Sequence, residues 1–283
     1  MVTAVPPLED ELGDVLEKAL RQAGLALPAL ATCAHVEAAR LRDAIDYRSD
    51  LTCDELRRIA AALNLNEVGL CALGAGRYPL PEIGGLPFAV HPLRMAHGIG
   101  VANAYLVTDD GTGGSLLFDA GADYSSLQKV WPPAVKTVGA VFLTHVETEH
   151  SGGLCEALAA FGAERAFVPA GATAPCAEPL GEGAVRTFGR LEVVAFSTPG
   201  HCAAHNCYLV RLGGMPGPGA RALLVSGDLL FAGSVGGGYF CQQRLAEHLH
   251  RIFAALPDNT VVAPGHGPMT TIGNERQFNP FLV

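Results

Sequence analysis

Residues 144–153, Thr-His-Val-Glu-Thr-Glu-His-Ser-Gly-Gly, constrain this chain more than any other stretch. They set four side chains able to bind a metal, His145, Glu147, Glu149 and His150, within six positions. The apolar run 138–143 ahead of them reads as a buried strand, and the apolar run from Leu154 to Ala160 after Ser-Gly-Gly reads as a helix. The expected local structure is strand, ligand-bearing loop, helix.

Three later segments repeat the pattern. His201 follows the apolar run 191–196 within Thr-Pro-Gly-His, Asp228 follows 222–225 within Ser-Gly-Asp, and His266 follows 260–263 within Pro-Gly-His-Gly-Pro. Each is a His or Asp just past a strand, beside residues that let the backbone turn sharply and approach an ion closely. One such histidine is ordinary. Four strand ends built alike point to a metal centre.

This arrangement resembles the metallo-β-lactamase superfamily, whose metal motif reads His-x-His-x-Asp-His, then a distant His, an Asp and a last His. The matching positions are His145, Glu147, Glu149, His150, His201, Asp228 and His266. Asn103–Val107 and Leu116–Gly121 match two early strands, and the tail from Pro264 to Leu282 resembles glyoxalase II-like hydrolases. The resemblance covers roughly residues 86–283. It implies an α+β fold, an αββα sandwich of two mixed sheets with helices outside and ligands along one edge. It also implies one metal on His145, Glu147 and His201 and a second on Glu149, His150 and His266. Asp228 would bridge them as the catalytic candidate, with a hydroxide held between the ions as nucleophile.

Two positions depart from that motif: Glu147 stands for its second His and Glu149 for its Asp. The His-x-Glu pair is similar to flavodiiron proteins, where the equivalent of His150 need not coordinate. Exchanging imidazole for carboxylate makes a site harder and more anionic, so of two divalent ions iron is favoured over zinc, although zinc also accepts carboxylate oxygen. Asp119, in Asp-Ala-Gly, is a candidate to orient a ligand histidine through its other ring nitrogen, or else a turn residue. His205, Tyr239 and Phe240 are candidates for the pocket, with Tyr239 and Phe240 following the run Gly236–Gly238. His91 and His97 could border the site, whereas His248 and His250 fall on an expected helix over 242–256.

The first 85 residues differ in kind. Helices are expected over 8–23, 27–38 and 53–63, the last capped by Thr52. Ala23–Ala31 with Asp54–Leu65 resembles helix-turn-helix domains of the Cro and λ-repressor type, with the recognition helix near 35–45. Residues 1–85 carry eight basic and thirteen acidic side chains, a net charge of −5. Phosphate contacts dominate nucleic-acid affinity, so an acidic module is poorly suited to them and nucleic acid is not the expected partner. A docking, dimerisation or site-covering role is expected instead, with a homo-oligomer contact through this segment among the options. The expected organisation is a helical domain at 1–73, a Gly- and Pro-rich linker at 74–85 and a metal domain at 86–283.

Composition fits this outline. The chain has 283 residues, 49% hydrophobic and 17% charged, with a net charge of −9, and contains no apolar run long enough for a membrane span. Eight cysteines are scattered without a Cys-x-x-Cys pair, as in a reduced cytoplasmic protein. The expected function is a dinuclear metal-dependent hydrolase of an ester, thioester or related small substrate. The alternative is a non-haem di-iron protein that binds or reduces oxygen or nitric oxide, and a DNA-binding regulator comes last. For a glutathione thioester, Arg244, Arg251 and Arg276 are the cationic candidates near the motifs.

Overall fold

The structure is a computed structural model that describes residues 6–214 and 221–283. Five helices come first: α1 (Leu12–Ala23), α2 (Leu27–Ala34), α3 (Ala38–Ile45), α4 (Cys53–Leu63) and α5 (Glu67–Gly74). Then follow β1 (Ala89–His97), β2 (Gly100–Asp109), β3 (Gly114–Phe118), α6 (Tyr124–Val130), β4 (Ala140–Phe142), α7 (Thr148–Ser151), α8 (Leu154–Phe161), β5 (Ala166–Pro169) and β6 (Ala177–Leu180). The chain continues with β7 (Val185–Phe188), β8 (Leu191–Ser197), β9 (Asn206–Leu212), β10 (Leu223–Gly227), β11 (Leu230–Phe231), β12 (Ser234–Val235), α9 (Gln242–Ala255), β13 (Val261–Pro264), β14 (Thr270–Thr271) and α10 (Ile272–Phe278).

Two six-stranded sheets form, in the orders β1-β2-β3-β4-β5-β6 and β14-β13-β10-β9-β8-β7. Strand periodicity divides their side chains between two faces. On β2 to β4, Tyr105, Val107, Leu116, Phe118 and Phe142 point inward to meet Val193, Tyr208, Val210, Val225 and Val261 of the second sheet. The alternate residues Leu106, Leu117 and Val141 point outward and are covered by Leu127 of α6 and Leu154 and Phe161 of α8. On the other side Leu224 and Val262 lie under Leu245 and Leu249 of α9 and Ile272 of α10. The result is an αββα sandwich, the fold class expected above. The inner strands β4, β5, β10 and β13 are buried on both faces, which is why they read as apolar runs, whereas the edge strand β7 and its neighbour β8 alternate or stay partly exposed.

The helical segment departs from the expected three helices. The helix expected to run to residue 38 stops at Ala34, because His35 takes the left-handed conformation (φ 50°) and returns its N–H to the carbonyls of Ala31 and Thr32. The chain re-enters a helix at Ala38, so the stretch around 35–45 yields a separate short helix. α1 begins at Leu12, four residues later than expected. α5 was not anticipated; Asn66 caps it by accepting from the N–H groups of Val68 and Gly69. Thr52 caps α4 through a reciprocal bond pair with Glu55. Leu16, Leu30, Leu41, Leu56, Ile59 and Leu70 are fully buried in a core of their own, into which Phe281 from the C-terminal end also packs.

Contacts lock this segment onto the sandwich. A Cβ on Gly69 of α5 would lie 1.7 Å from the carbonyl oxygen of Phe278, so only glycine permits this approach to α10. Asn66 donates its side-chain amide to the carbonyls of Gln277 and Leu282 and its backbone N–H to that of Pro280. The linker expected at 74–85 overlaps α5 at Gly74, and the irregular stretch 76–88 is pinned: the Tyr78 hydroxyl donates to Glu275 (2.9 Å) and Asn274 donates to the Pro79 carbonyl (3.0 Å). Glu275 is fully buried and accepts also from Thr270, Gly233, Asn274 and Asn279. Burial pushes its carboxyl up, and these donors oppose that shift. Among the described residues no helix is long and apolar enough to cross a membrane.

Candidate metal centre

All seven residues of the motif converge at the edge of the sandwich where β4, β8, β10 and β13 end. His145 leaves β4 after Leu143 and Thr144; Glu147, Glu149 and His150 stand at the start of and within the short helix α7. Donor atoms of His145, Glu147 and His201 lie within 4.8 Å of one another, as do those of Glu149, His150 and His266, and those of His145, His150 and Asp228. Asp228 sits between the first two groups. Its Oδ2 is 3.8 Å from His201 Nε2 and 3.4 Å from His266 Nε2, and its Oδ1 is 3.7 Å from His150 Nε2. Glu147 lies 3.2 Å from His201 Nε2 and 3.9 Å from His145 Nε2.

The hydrogen bonds on the far side of each ring fix its tautomer. His150 Nδ1 faces the Asp119 carboxylate (3.2 Å), His201 Nδ1 the Gly237 carbonyl (3.0 Å) and His266 Nδ1 the Val101 carbonyl (2.9 Å). Carboxylate and carbonyl oxygens only accept, so each Nδ1 carries a proton, and in the neutral ring each Nε2 turns a lone pair inward. The Thr144 hydroxyl donates to Asp119 and so accepts from His145 Nδ1 (3.0 Å), which orients the fourth ring the same way. His205 is different. Its Nε2 accepts from the backbone N–H of Asp228 (3.1 Å) and its Nδ1 meets the Thr198 hydroxyl (2.8 Å), so its lone pair is spent holding Asp228 in place.

Four inward atoms, Nε2 of His145, His150 and His201 and Oδ1 of Asp228, are buried and have no hydrogen-bond partner. Buried polar atoms are nearly always satisfied, so a convergent group of orphans calls for an explanation. Imidazole nitrogens and carboxylate oxygens converging on one point are the donor set that suits a divalent cation. Without a cation, the carboxylates draw protons onto three of these rings instead. Burial, with the neighbouring His150, pushes His145 down to about 4. Burial also lowers His266, but the bond to Asp228 and the charges of Asp228 and Glu9 overcome it and raise the ring to about 9. His150 and His201 are net raised in the same manner, by Asp119 and Glu147 respectively. Against the penalty of its burial, Asp228 is held well below the usual carboxylate range by His266, His150 and His145.

The other sequence candidates fall in different places. Asp119 is 2% exposed, takes the left-handed conformation (φ 60°) and accepts from the Thr144 N–H (2.7 Å), so it links β3 to the ligand loop and is more than a turn residue. Tyr239 lines the cleft at the centre, with its ring 5.4 Å from that of His201. Phe240 does not line that cleft: it turns toward Arg244, whose guanidinium lies over its ring, while its N–H bonds the carbonyls of Gly200 and His201. The preceding glycines do more than ease a turn, because a Cβ on Gly236 would lie 1.8 Å from the carbonyl oxygen of Asp228. His97 reaches Glu149 (3.7 Å) from the β1–β2 hairpin, whereas His91 faces Thr108 on the sheet. Arg251 is bonded to Glu182 and Ser197, and Arg276 to Asp258 and Phe253, so neither is free for a substrate.

Sequence reasoning offered a site-covering role for the helical segment but named none of the residues that form the wall opposite the ligands. The centre opens into a cleft of about 350 Å³ whose far side is α1 and the residues just before it, among them Glu9, Lys18 and Arg21. Glu9 approaches His266 Nδ1 (3.8 Å), and burial raises its carboxyl. Lys18 bonds Asp10 and the Val235 carbonyl, and Asp10 bonds Ser234, which clamps α1 beside the site. No local signal marks these residues, since their role depends on packing across more than 200 positions of sequence.

The sequence model of the metallo-beta-lactamase superfamily matches residues 97–266. A probable metallo-hydrolase of Bacillus subtilis (strain 168) is 30% identical over 215 residues, 67% of this chain and 96% of its own length. A probable hydroxyacylglutathione hydrolase of Schizosaccharomyces pombe is 26% identical over 233 residues, covering 70% of this chain and 88% of the relative. Among solved structures, TTHA1623 in a di-iron-bound form is 30% identical with a TM-score of 0.52, covering 67% of this chain and 99% of that one.

Proposed function

Since the chain belongs to the metallo-β-lactamase superfamily, we propose that it is a dinuclear metal-dependent hydrolase acting on a small ester, thioester or related substrate. The observation that carries this reading is the set of four buried, unsatisfied donor atoms converging between two three-residue groups, with Asp228 between them. The names of the relatives support hydrolysis: a metallo-hydrolase and hydroxyacylglutathione hydrolases. His145, Glu147 and His201 would hold one ion, Glu149, His150 and His266 the other, and Asp228 both. Two divalent ions there would lower the pKa of bound water toward neutrality and polarise a substrate carbonyl or phosphoryl oxygen.

The chain's own residues prepare that chemistry. Asp119, Thr144 and the carbonyls of Val101 and Gly237 hold the four rings with Nε2 inward before any ligand arrives, so little reorganisation is needed. His205 fixes the Asp228 backbone. α1 shields one side of the cleft from bulk water, which strengthens every electrostatic interaction within it.

Iron is the favoured metal. Three carboxylates, Glu147, Glu149 and Asp228, make the donor set hard and anionic, and a relative 30% identical is described in a di-iron-bound form. The same two observations favour a second reading, a di-iron centre that binds oxygen or nitric oxide. A screen of thioesters and esters with the iron-, manganese- and zinc-loaded protein separates the readings. Turnover that disappears in Asp228→Ala supports the hydrolase. A visible absorption band that changes on exposure to oxygen or nitric oxide, with no ester or thioester cleaved, would favour the second.

A further inference from the structure

The cleft at the metal centre does not end there. A second cavity of about 160 Å³ continues along α1 and shares Lys18, Arg21, Gly237 and Tyr239 with the first, adding Gln22 and Gln242. The two ends differ in charge. Beside the metal ligands the α1 wall is acidic, with Glu9, Asp14 and Glu17, whereas the side chains of the far cavity are two cations, two amides and a phenol. Lys18 is already committed to Asp10 and to the Val235 carbonyl. Arg21 is not. Its guanidinium makes no hydrogen bond or ion pair among the described residues, not even with Glu17 one helical turn earlier, and the amides of Gln22 and Gln242 are equally unengaged.

A planar guanidinium beside two amides and a hydroxyl, with no carboxylate among the residues that line this cavity, is suited to an anion, and its fork geometry matches a carboxylate. We propose that the groove between α1 and the loop 236–242 receives the distal end of the substrate, and that Arg21 binds a carboxylate there while the scissile carbonyl lies at the metal centre. The substrate is thus a small carboxylate-bearing thioester or ester. This inference rests on the hydrolase reading above. Hydrolysis breaks the bond between carbonyl carbon and sulfur or oxygen; the water oxygen enters the acid, and its protons go to the leaving group and to solvent. The acidic wall near the centre adds selectivity, because it disfavours a second negative charge close to the carbonyl.

The test uses the full chain and S-acetyl ω-mercaptoalkanoates with two to six methylenes, each paired with its terminal primary amide. Loss of a charge-assisted bond corresponds to about a 10- to 100-fold change. Wild type is expected to favour the carboxylate of the best-fitting length by that factor in kcat/KM, mainly through KM. Arg21→Ala should abolish the preference and Arg21→Lys should retain part of it; a preference unchanged in Arg21→Ala overturns the proposal. Calorimetric binding of the uncleavable ketone analogues, with a methylene between acyl carbon and sulfur, separates the two claims. If no thioester is cleaved the hydrolase reading fails, yet tighter binding of the carboxylate analogue by wild type than by Arg21→Ala still supports the groove. Equal binding by both proteins overturns it. Arg21 is exposed, so its replacement leaves the fold intact, and circular dichroism checks this.

Discussion

Asp119→Asn isolates the tautomer argument. Asparagine tolerates the left-handed backbone of this position, and its Oδ1 still accepts from the Thr144 N–H and hydroxyl, which lie 2.7 and 3.1 Å from that oxygen of Asp119. What changes is the partner of His150 Nδ1, 3.2 Å away. With the amide oxygen engaged by Thr144, the amide nitrogen faces the ring and can only donate. His150 must then accept at Nδ1, which moves the ring proton to Nε2 and into the metal centre, or lose the bond altogether. The ring is fully buried, so water does not replace the bond. A charge-assisted bond is worth about 1.5–3 kcal/mol against about 0.5–1.5 for a neutral one. The difference, about 1–2 kcal/mol, is about a 5- to 30-fold loss of metal affinity, overlapping the roughly 10- to 100-fold range seen for such outer partners. Competition against a chromophoric chelator measures it, with urea titration of the metal-free protein as a control for folding. A variant that folds normally and binds metal within about two-fold of wild type would refute the reasoning.

Three further outcomes follow from other sites. Glu147→His should move metal preference toward zinc, because it restores an imidazole where the carboxylate hardens the site; unchanged iron-to-zinc selectivity in a competitive loading experiment counts against Glu147 as the selector. Glu275→Ala should cost about 3–5 kcal/mol in urea unfolding, since it strands the buried Thr270 hydroxyl and Gly233 N–H and releases Tyr78; a loss below about 1 kcal/mol would show that the network is not holding residues 76–88 to α10. Gly69→Ala should destabilise by about 1–3 kcal/mol, because its Cβ would strike the Phe278 carbonyl, and protection of α5 amides from hydrogen exchange should fall with it. Wild-type protection in that variant would mean that the two helices can part at no cost.

What could be read in the sequence is what local chemistry writes there. The ligands stand at strand ends beside Gly or Pro, and apolar runs such as 138–143 and 222–225 announce the buried strands that carry them. Asp119 was visible as a polar residue between two apolar stretches, though not the left-handed backbone that aims it. The break at His35 was hidden, because histidine carries no strong helix-stop signal and the flanking alanines favour continuation. α5 was hidden by its two glycines and short length. The α1 wall, Glu9 and Arg21 among it, was illegible for a deeper reason: tertiary packing alone brings residues 9–21 beside 228–239. The acidic composition of the helical segment is legible in the sequence, but only the structure shows Arg40, Arg48 and Arg57 paired with carboxylates.

The central claim is that seven convergent side chains hold two metal ions. Elemental analysis of protein purified without oxygen, chelator or added metal tests it most directly, alongside Asp228→Ala prepared in the same way. The account predicts about two ions per chain, chiefly iron, falling to one or fewer in the variant. A folded wild-type protein that carries no metal, and takes up none when iron, manganese or zinc is supplied, would contradict it.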